Sequence, residues 1–169
     1  MRKVFLMDRI MECLTDASAI ARLRAEAQPG DRRILTHLLS SLMLARRITQ
    51  DETHAAAPFV IGALRIVPRL GQTFRPGEDL ALYYQIYGAA KDPATGQPSL
   101  DVDYGFFTVE AEHARDLGHV SFGDQKNEAH GYALTLKDWP AGPYLLRVSV
   151  TDRIVQTTST RDVVFEVRT

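Results

Sequence analysis

The stretch from Leu136 to Asp152, LKDWPAGPYLLRVSVTD, constrains the fold more than any other part of the chain. From Tyr144 onward apolar and polar side chains alternate, which is typical of a strand with one buried face. The segment from Trp139 to Pro143 contains two prolines and a glycine and therefore predicts a turn. A turn followed at once by a tyrosine at the head of a long strand indicates a tyrosine corner, whose ring enters the core and whose hydroxyl ties the preceding crossover. This pattern favours a β-sandwich.

The chain after Pro58 reads as short strands separated by turn residues. The predicted strands are Phe59 to Val67, Leu80 to Tyr87, Asp101 to Glu110, His119 to Phe122, Ala129 to Leu136, the strand that begins at Tyr144, and Asp162 to Val167. One face of the second predicted strand carries the core candidates Leu80, Leu82, Tyr84 and Ile86. About seven strands of this spacing predict a mainly β fold, an immunoglobulin-like antiparallel β-sandwich over residues 57–169.

Residues 1–50 have a different pattern and are predicted to form a helical arm, or the remnant of a preceding domain. Gln28 to Asp31, QPGD, ends a first helix. Between Ile34 and Ile48, apolar residues three and four apart predict a second helix, while a strand from Leu38 to Ile48 is the open alternative. The polar, alanine-rich stretch from Thr49 to Pro58 is the predicted domain boundary.

The overall charge and the lengths of the apolar segments argue against nucleic acid and membranes as partners. The formal net charge of −1 gives no strong field to recruit nucleic acid or anionic lipid. No apolar run approaches the length of a membrane span. Arg2 and Lys3 resemble the start of a signal peptide, but Asp8 interrupts the apolar run, so no signal peptide is predicted and the localisation stays open. The single cysteine, Cys13, cannot form an intrachain disulfide.

Several segments together resemble a known bacterial family. They are SSLMLARRI, PFVIGALRIVP, FRPGEDLALYYQIY, DPATGQPSLDVDY, PAGPYLLRVSVTD and the closing VVFEV. On these segments, the part from Leu38 to Val167 resembles the C-terminal immunoglobulin-like sandwich of GWxTD-domain proteins and the related von-Willebrand-A-associated proteins, although the GWxTD motif itself is absent. The resemblance implies the sandwich fold and the export of longer relatives. It implies no site residues, because the family has no defined activity.

Two groups of polar residues could in principle hold a metal ion. The denser group is Glu110, Glu112, His113, Asp116 and His119, and the second is Asp92, Asp101 and Asp103. Neither follows a known ligand spacing for zinc or calcium, so we predict solvated loops and strand edges rather than metal sites. No nucleophile elbow and no glycine-rich phosphate loop is present, and we therefore predict no cofactor and no catalytic activity.

The aromatic side chains give the only candidate binding face. Tyr83, Tyr87 and Phe107 fall opposite the predicted core faces of their strands, and with Trp139 they form a candidate stacking platform for a glycan or a peptide. The alternatives are that the arm covers these residues or that they pack across strands. The leading hypothesis is a non-catalytic interaction or scaffold module that binds a protein or another domain of a longer chain. The second is a carbohydrate- or peptide-binding module that uses the aromatic face.

Overall fold

The computed structural model describes residues 38–51, 59–61, 64–110 and 113–169. Within these residues the chain forms eleven strands and no helix, and hence no helix that could cross a membrane. The strands are β1 (Leu38–Leu39), β2 (Met43–Gln50), β3 (Val60–Ile61), β4 (Leu64–Pro68), β5 (Thr73–Phe74), β6 (Asp79–Tyr87), β7 (Leu100–Glu110), β8 (His113–Gln125), β9 (Ala129–Thr135), β10 (Gly142–Asp152) and β11 (Thr157–Val167).

The strands form two sheets. The first sheet has the order β1-β6-β2-β4-β3, with β9 paired to the other edge of β6, and all of its pairs are antiparallel. The second sheet has the order β5-β11-β10-β7-β8 and is antiparallel except for the short parallel pair β5–β11. In this arrangement β9 is an edge strand of the first sheet and β8 is an edge strand of the second.

The main hydrophobic core lies between the two sheets. The predicted core face of β6 is confirmed, since Leu80, Leu82, Tyr84 and Ile86 are all buried. They join the alternate inward residues of β7, β10 and β11 in one cluster. Burial of about twenty side chains at roughly 1.5–3 kcal/mol for each large one supplies most of the driving force for folding.

A second, smaller core lies on the opposite face of β6. It consists of Ala45, Ile66, Ala81 and Tyr83, with half-buried apolar residues of β2, β3, β4 and β9 around it. The β2–β4 pairing is irregular between Ala45 and Arg47, which marks a β-bulge. Ile48, just after the bulge, packs against Gly131 of β9. A Cβ atom added to Gly131 would lie only 3.4 Å from Ile48 Cδ1. Strands β2, β4 and β3 therefore cover the face of β6 and β9 that points away from the main core.

The predicted tyrosine corner is confirmed at the start of β10. The Tyr144 ring is buried, and its hydroxyl donates a hydrogen bond to the carbonyl oxygen of Pro140, 2.7 Å away. This hydrogen bond ties the turn before the strand to the core. A neutral hydrogen bond of this kind stabilises the folded state by about 1 kcal/mol.

The helix predicted from Ile34 to Ile48 is wrong over the described residues, where the open alternative of a strand holds. Residues 38–39 and 43–50 are β1 and β2, and both pair with β6. Leucine, methionine, alanine and arginine favour helices, but pairing with β6 overrides that local preference. The rest of the predicted arm, residues 1–37, lies outside the described residues, so the division of the chain into an arm and a sandwich stays a prediction.

The predicted number of strands also needs correction. The described residues form eleven strands rather than about seven, and three of them have only two residues. The single strand predicted from Phe59 to Val67 is instead an antiparallel pair, β3 and β4. The strand predicted over four residues from His119 is β8, which has 13 residues.

Candidate functional site

The four residues of the predicted aromatic face lie in separate parts of the fold. Tyr83 belongs to the small core, Trp139 borders the main core, and Phe107 lies on the outer face of the second sheet. Tyr87, at the end of β6, is half-buried and donates its hydroxyl proton to the carboxamide oxygen of Gln85. These positions do not form one stacking platform.

Tyr83 is not exposed, which corrects the prediction that it faces outward. Its relative exposure is 0%, and burial raises the pKa of its phenol to about 12. By distance and angle, the hydroxyl has no hydrogen-bond partner among the described residues. The alternation along β6 was read correctly, but β2 and β4 cover the second face of the strand. Cross-strand packing, one of the two alternatives to a binding face, therefore accounts for Tyr83.

Trp139 and Phe107 are both engaged with neighbouring side chains. The Trp139 ring packs against Phe106, Tyr144 and Phe165, with centroids 4.8–5.8 Å apart. Phe107 meets His119 edge-to-face at 5.9 Å, and the Arg147 guanidinium carbon lies 5.7 Å from the centroid of its ring. Of the predicted set, only Phe107 remains on an outer sheet face.

Of the carboxylates singled out in the sequence, Asp92 and Asp101 are held in separate places, and the side chains of Glu110 and Glu112 lie outside the described part of the structure. Asp92 accepts bonds from the backbone amides of Ala94 and Thr95 and so stabilises its own turn. Asp101 accepts a bond from the amide of Asp124. Within the described part of the chain, no group of three or more histidine, cysteine, aspartate or glutamate side chains is placed to hold a metal ion.

One connected polar group does form on the outer face of β7 and β8. His119 Nδ1 lies 2.6 Å from Asp103 Oδ1, and its Nε2 lies 3.1 Å from Asp116 Oδ2. Ser121 donates to the other oxygen of Asp103 at 2.6 Å. Gly105 makes room for the imidazole, since a Cβ there would lie 2.8 Å from His119 Cε1.

The charge state of this group follows from its hydrogen bonds. Only the protonated imidazole donates to both carboxylates, so the bonds to Asp103 and Asp116 raise the pKa of His119 above its usual value. Partial burial acts to raise the pKa of Asp103, but the bonds from Ser121 and His119 outweigh it and lower that pKa. Because Ser121 donates to Asp103 and not to His119, the group lacks the hydrogen bond by which an imidazole activates a serine nucleophile.

Strand β8 is the most exposed long element of the second sheet. Twelve of its 13 residues are exposed, and among the described strands it pairs with β7 alone. The pairing is regular from Gly118 to Phe122 and is interrupted at both ends by irregularities, one of which leaves Leu117 unpaired. The free edge of this strand presents backbone N–H and C=O groups that no other described strand pairs.

Apolar side chains accompany this free edge. Leu117 is 45% exposed, Val120 37% and Phe122 41%. Phe122 packs edge-to-face against Tyr104 and Tyr132, and these two tyrosines stack with centroids 4.2 Å apart. Since Tyr132 belongs to β9, the exposed edges of both sheets meet along this aromatic seam.

Arginines gather at another part of the sandwich. Two adjoining cavities of about 480 and 440 Å³ share Arg46, Arg69 and Glu78 in their walls. Arg69 lies 4.1 Å from the centroid of the Phe74 ring and forms an ion pair with Glu78 at 2.9 Å. Sequence analysis missed this site, because its arginines come from distant segments and no local spacing brings them together.

Comparison with known proteins adds little to this description. No protein-family model and no curated protein matches the chain. The solved structures that are similar to it include the sporulation control protein Spo0M from Bacillus subtilis, with a TM-score of 0.42, 12% identity and coverage of 79% of this chain and 50% of that one. A superoxide reductase from Ignicoccus hospitalis has a TM-score of 0.41 and 12% identity, covering 59% of this chain and 77% of that one. An immunoglobulin-like protein from Pseudomonas aeruginosa has a TM-score of 0.35 and 13% identity, covering 76% and 98%. At these values the likeness supports no inference about activity, and the resemblance to the GWxTD family stays a prediction.

Proposed function

We propose that the chain is a non-catalytic interaction module that binds an extended segment of a partner protein, or of another domain of a longer chain, along the free edge of β8. The observation that carries this proposal is the combination of an unpaired strand edge with exposed apolar side chains at Leu117, Val120 and Phe122. Addition of a strand to an exposed sheet edge is a recurring mode of peptide recognition, in which the main chain supplies affinity and alternate side chains supply specificity.

The two faces of β8 define what such a segment must carry. Val120 and Phe122 lie on the inner side beside Tyr132, whereas His119 and Ser121 lie on the outer polar face. A partner strand would therefore place alternate residues against an apolar seam and a polar surface. Natural sheets usually protect a long apolar edge with charges or bulges. Here the irregularities lie at the ends of the regular run and leave its central residues accessible.

The proposed peptide site is therefore the edge of β8 and not the predicted aromatic face. The alternative hypothesis, carbohydrate binding, depends on that aromatic face. A sugar-binding platform needs exposed aromatic rings at the surface. Tyr83 is fully buried and Trp139 is half-buried at the border of the other core, so these two rings present no joint surface on which a glycan could stack.

The test is a titration with extended peptides and edge-blocking variants. A displayed panel of 12-residue peptides with alternating apolar and polar residues is selected against the full chain, and the affinity of each binder is measured. Leu117→Lys and Val120→Lys place a charge beside the free edge, and each should weaken binding by about tenfold or more, as loss of an apolar anchor does. Val164→Lys is the control, because Val164 is 49% exposed but lies on β11, which β10 and β7 separate from β8 in the strand order of the sheet.

The outcomes separate clearly. Loss of binding in the two β8 variants with retention in Val164→Lys supports the proposal. A panel without any saturable binder contradicts it, and so does a binder whose affinity is unchanged in both β8 variants.

A further inference from the structure

The arginine cavity, by which we mean the two adjoining cavities walled by Arg46, Arg69 and Glu78, is separate from the β8 edge and serves no role in the proposed function. Its walls come from the bulged strand β2, from the end of β4, from the segment that runs through β5 to the start of β6, and from the two residues after β11. A site assembled from so many segments is positioned by the fold rather than by one mobile loop.

The charge of the walls is strongly positive. Their side chains include two carboxylates, Glu78 and Asp79, and the five guanidinium groups of Arg46, Arg47, Arg69, Arg75 and Arg168. The chain as a whole has a formal net charge of −1, so the positive charge is local to this site. Like charges that converge on a cavity repel one another, and a bound anion reduces this repulsion.

Two of the five arginines are already neutralised. Arg69 is held by Glu78 at 2.9 Å and donates to the Thr73 carbonyl oxygen at 2.5 Å. The backbone amide of Arg75 donates to Glu78 at 3.0 Å, and this bond together with Arg69 lowers the pKa of Glu78, so that its carboxylate stays charged near neutral pH. Arg168 pairs with Glu166 at 2.7 Å.

The remaining three arginines have no such partner among the described residues. Arg46, Arg47 and Arg75 form no ion pair with any residue in the described part of the chain. The bulge between Ala45 and Arg47 interrupts the alternation of β2, which allows both consecutive arginines to line the same cavity. Asp79, the other carboxylate, accepts a hydrogen bond from Thr135 at 2.6 Å.

We propose that the arginine cavity binds a small phosphate-bearing ligand. Guanidinium groups match the oxygens of phosphate with paired hydrogen bonds, and arginine is the residue most used for that recognition. Arg46, Arg47 and Arg75 carry three positive charges and Asp79 one negative charge, so a net charge of +2 remains beside the two paired arginines. This charge suits a ligand with more than one negative charge better than a monocarboxylate. Volumes of about 440 and 480 Å³ lie in the range of small-molecule sites, which run from about 300 to 1,000 Å³.

The experiment titrates the full chain with pyrophosphate at constant ionic strength set with chloride, and follows binding by calorimetry and by arginine side-chain NMR. The test variant is the double substitution Arg46→Gln with Arg75→Gln, which leaves the Arg69–Glu78 pair intact. We expect one pyrophosphate per chain, and a loss of affinity in the double variant of about tenfold or more, because each charge-assisted bond is worth about that factor. Arg115→Gln removes the same kind of charge from exposed strand β8 and should change the affinity by less than about twofold, as distant substitutions do.

Competition experiments distinguish the class of ligand. Inorganic phosphate should compete more weakly than pyrophosphate, and both should shift the same arginine resonances. The proposal is overturned if pyrophosphate does not saturate, or if Arg115→Gln weakens binding as much as the double variant. It is also overturned if an acidic peptide or a short oligonucleotide displaces pyrophosphate at lower concentration than any small phosphate compound, since the occupant would then be a polyanionic chain.

Discussion

The hydroxyl of Tyr144 is bonded to the carbonyl oxygen of Pro140, 2.7 Å away and four residues earlier in the chain. The ring stacks on Phe165 of the neighbouring strand, with centroids 5.4 Å apart and planes at 20°. One side chain thus fixes both the turn before β10 and the packing of β10 against β11.

Substitution of Tyr144 separates these two roles. Tyr144→Phe should lower the free energy of unfolding by about 1 kcal/mol, because only the hydrogen bond is lost. Tyr144→Ala should lower it by about 3–5 kcal/mol, because the ring leaves a cavity in the core. Equilibrium unfolding in denaturant measures both values. A Tyr144→Ala protein with the stability of the parent would show that the corner does not stabilise the fold.

The two tyrosines at adjacent positions of β6 should respond in opposite directions to the loss of a hydroxyl. Tyr83 has a buried hydroxyl with no partner among the described residues, so Tyr83→Phe should leave stability unchanged or raise it by up to about 1 kcal/mol. Tyr84 shares a buried hydrogen bond of 2.8 Å with Tyr104, so Tyr84→Phe should cost about 1–3 kcal/mol, because the Tyr104 hydroxyl is left without it. Thermal and denaturant unfolding of the pair provides the comparison. Equal destabilisation by both substitutions would mean that the Tyr83 hydroxyl is bonded after all.

His119 should titrate above the usual histidine range, and His130 below it. The carboxylates of Asp103 and Asp116 raise the pKa of His119, whereas burial lowers the pKa of His130, which stacks on Tyr84 at 5.3 Å. The contribution of His119 to stability should be fully present below about pH 6.5 and disappear as the pH rises through its raised pKa. For His130 the sign is reversed, and its contribution should disappear as the pH falls through its lowered pKa.

NMR titration of the imidazole resonances measures both values. Asp103→Asn should move the pKa of His119 down and leave that of His130 unchanged. Gly105→Ala should also lower the pKa of His119, because a Cβ at position 105 displaces the imidazole from the two carboxylates. A His119 pKa that stays high in both variants would contradict the assigned hydrogen bonds.

The sequence predicts those strands that have one buried face and one solvent-exposed face, because apolar and polar residues then alternate along the strand. β10 is the best example, since its alternation and the turn before it were enough to predict the corner. The pattern fails where both faces of a strand have the same surroundings. Twelve residues of β8 are exposed, so most of it lacks a clear apolar face, and the sequence predicts only the four residues from His119 to Phe122, in its middle, as a strand.

β6 presents the opposite difficulty. Its two faces are both buried, whereas the alternation along the strand predicts that Tyr83, on the second face, lies outside the core. No local signal could reveal that β2 and β4 cover this face, because the covering depends on pairing between residues about 14 to 40 positions apart in the chain. The arginine cavity is hidden from sequence reasoning for the same reason, since its walls are brought together only by the completed sheets.

Amide hydrogen exchange of β8 tests the central claim most directly. In the free protein the amides on the open edge, between Gly118 and Phe122, should exchange much faster than those of β10, which is paired on both sides. When a selected peptide is bound, alternate amides of this run should become protected by about tenfold or more, as newly paired strand amides do, while β10 and β11 stay unchanged. Protection that is absent from β8, or that appears instead on another surface of the protein, would contradict the account.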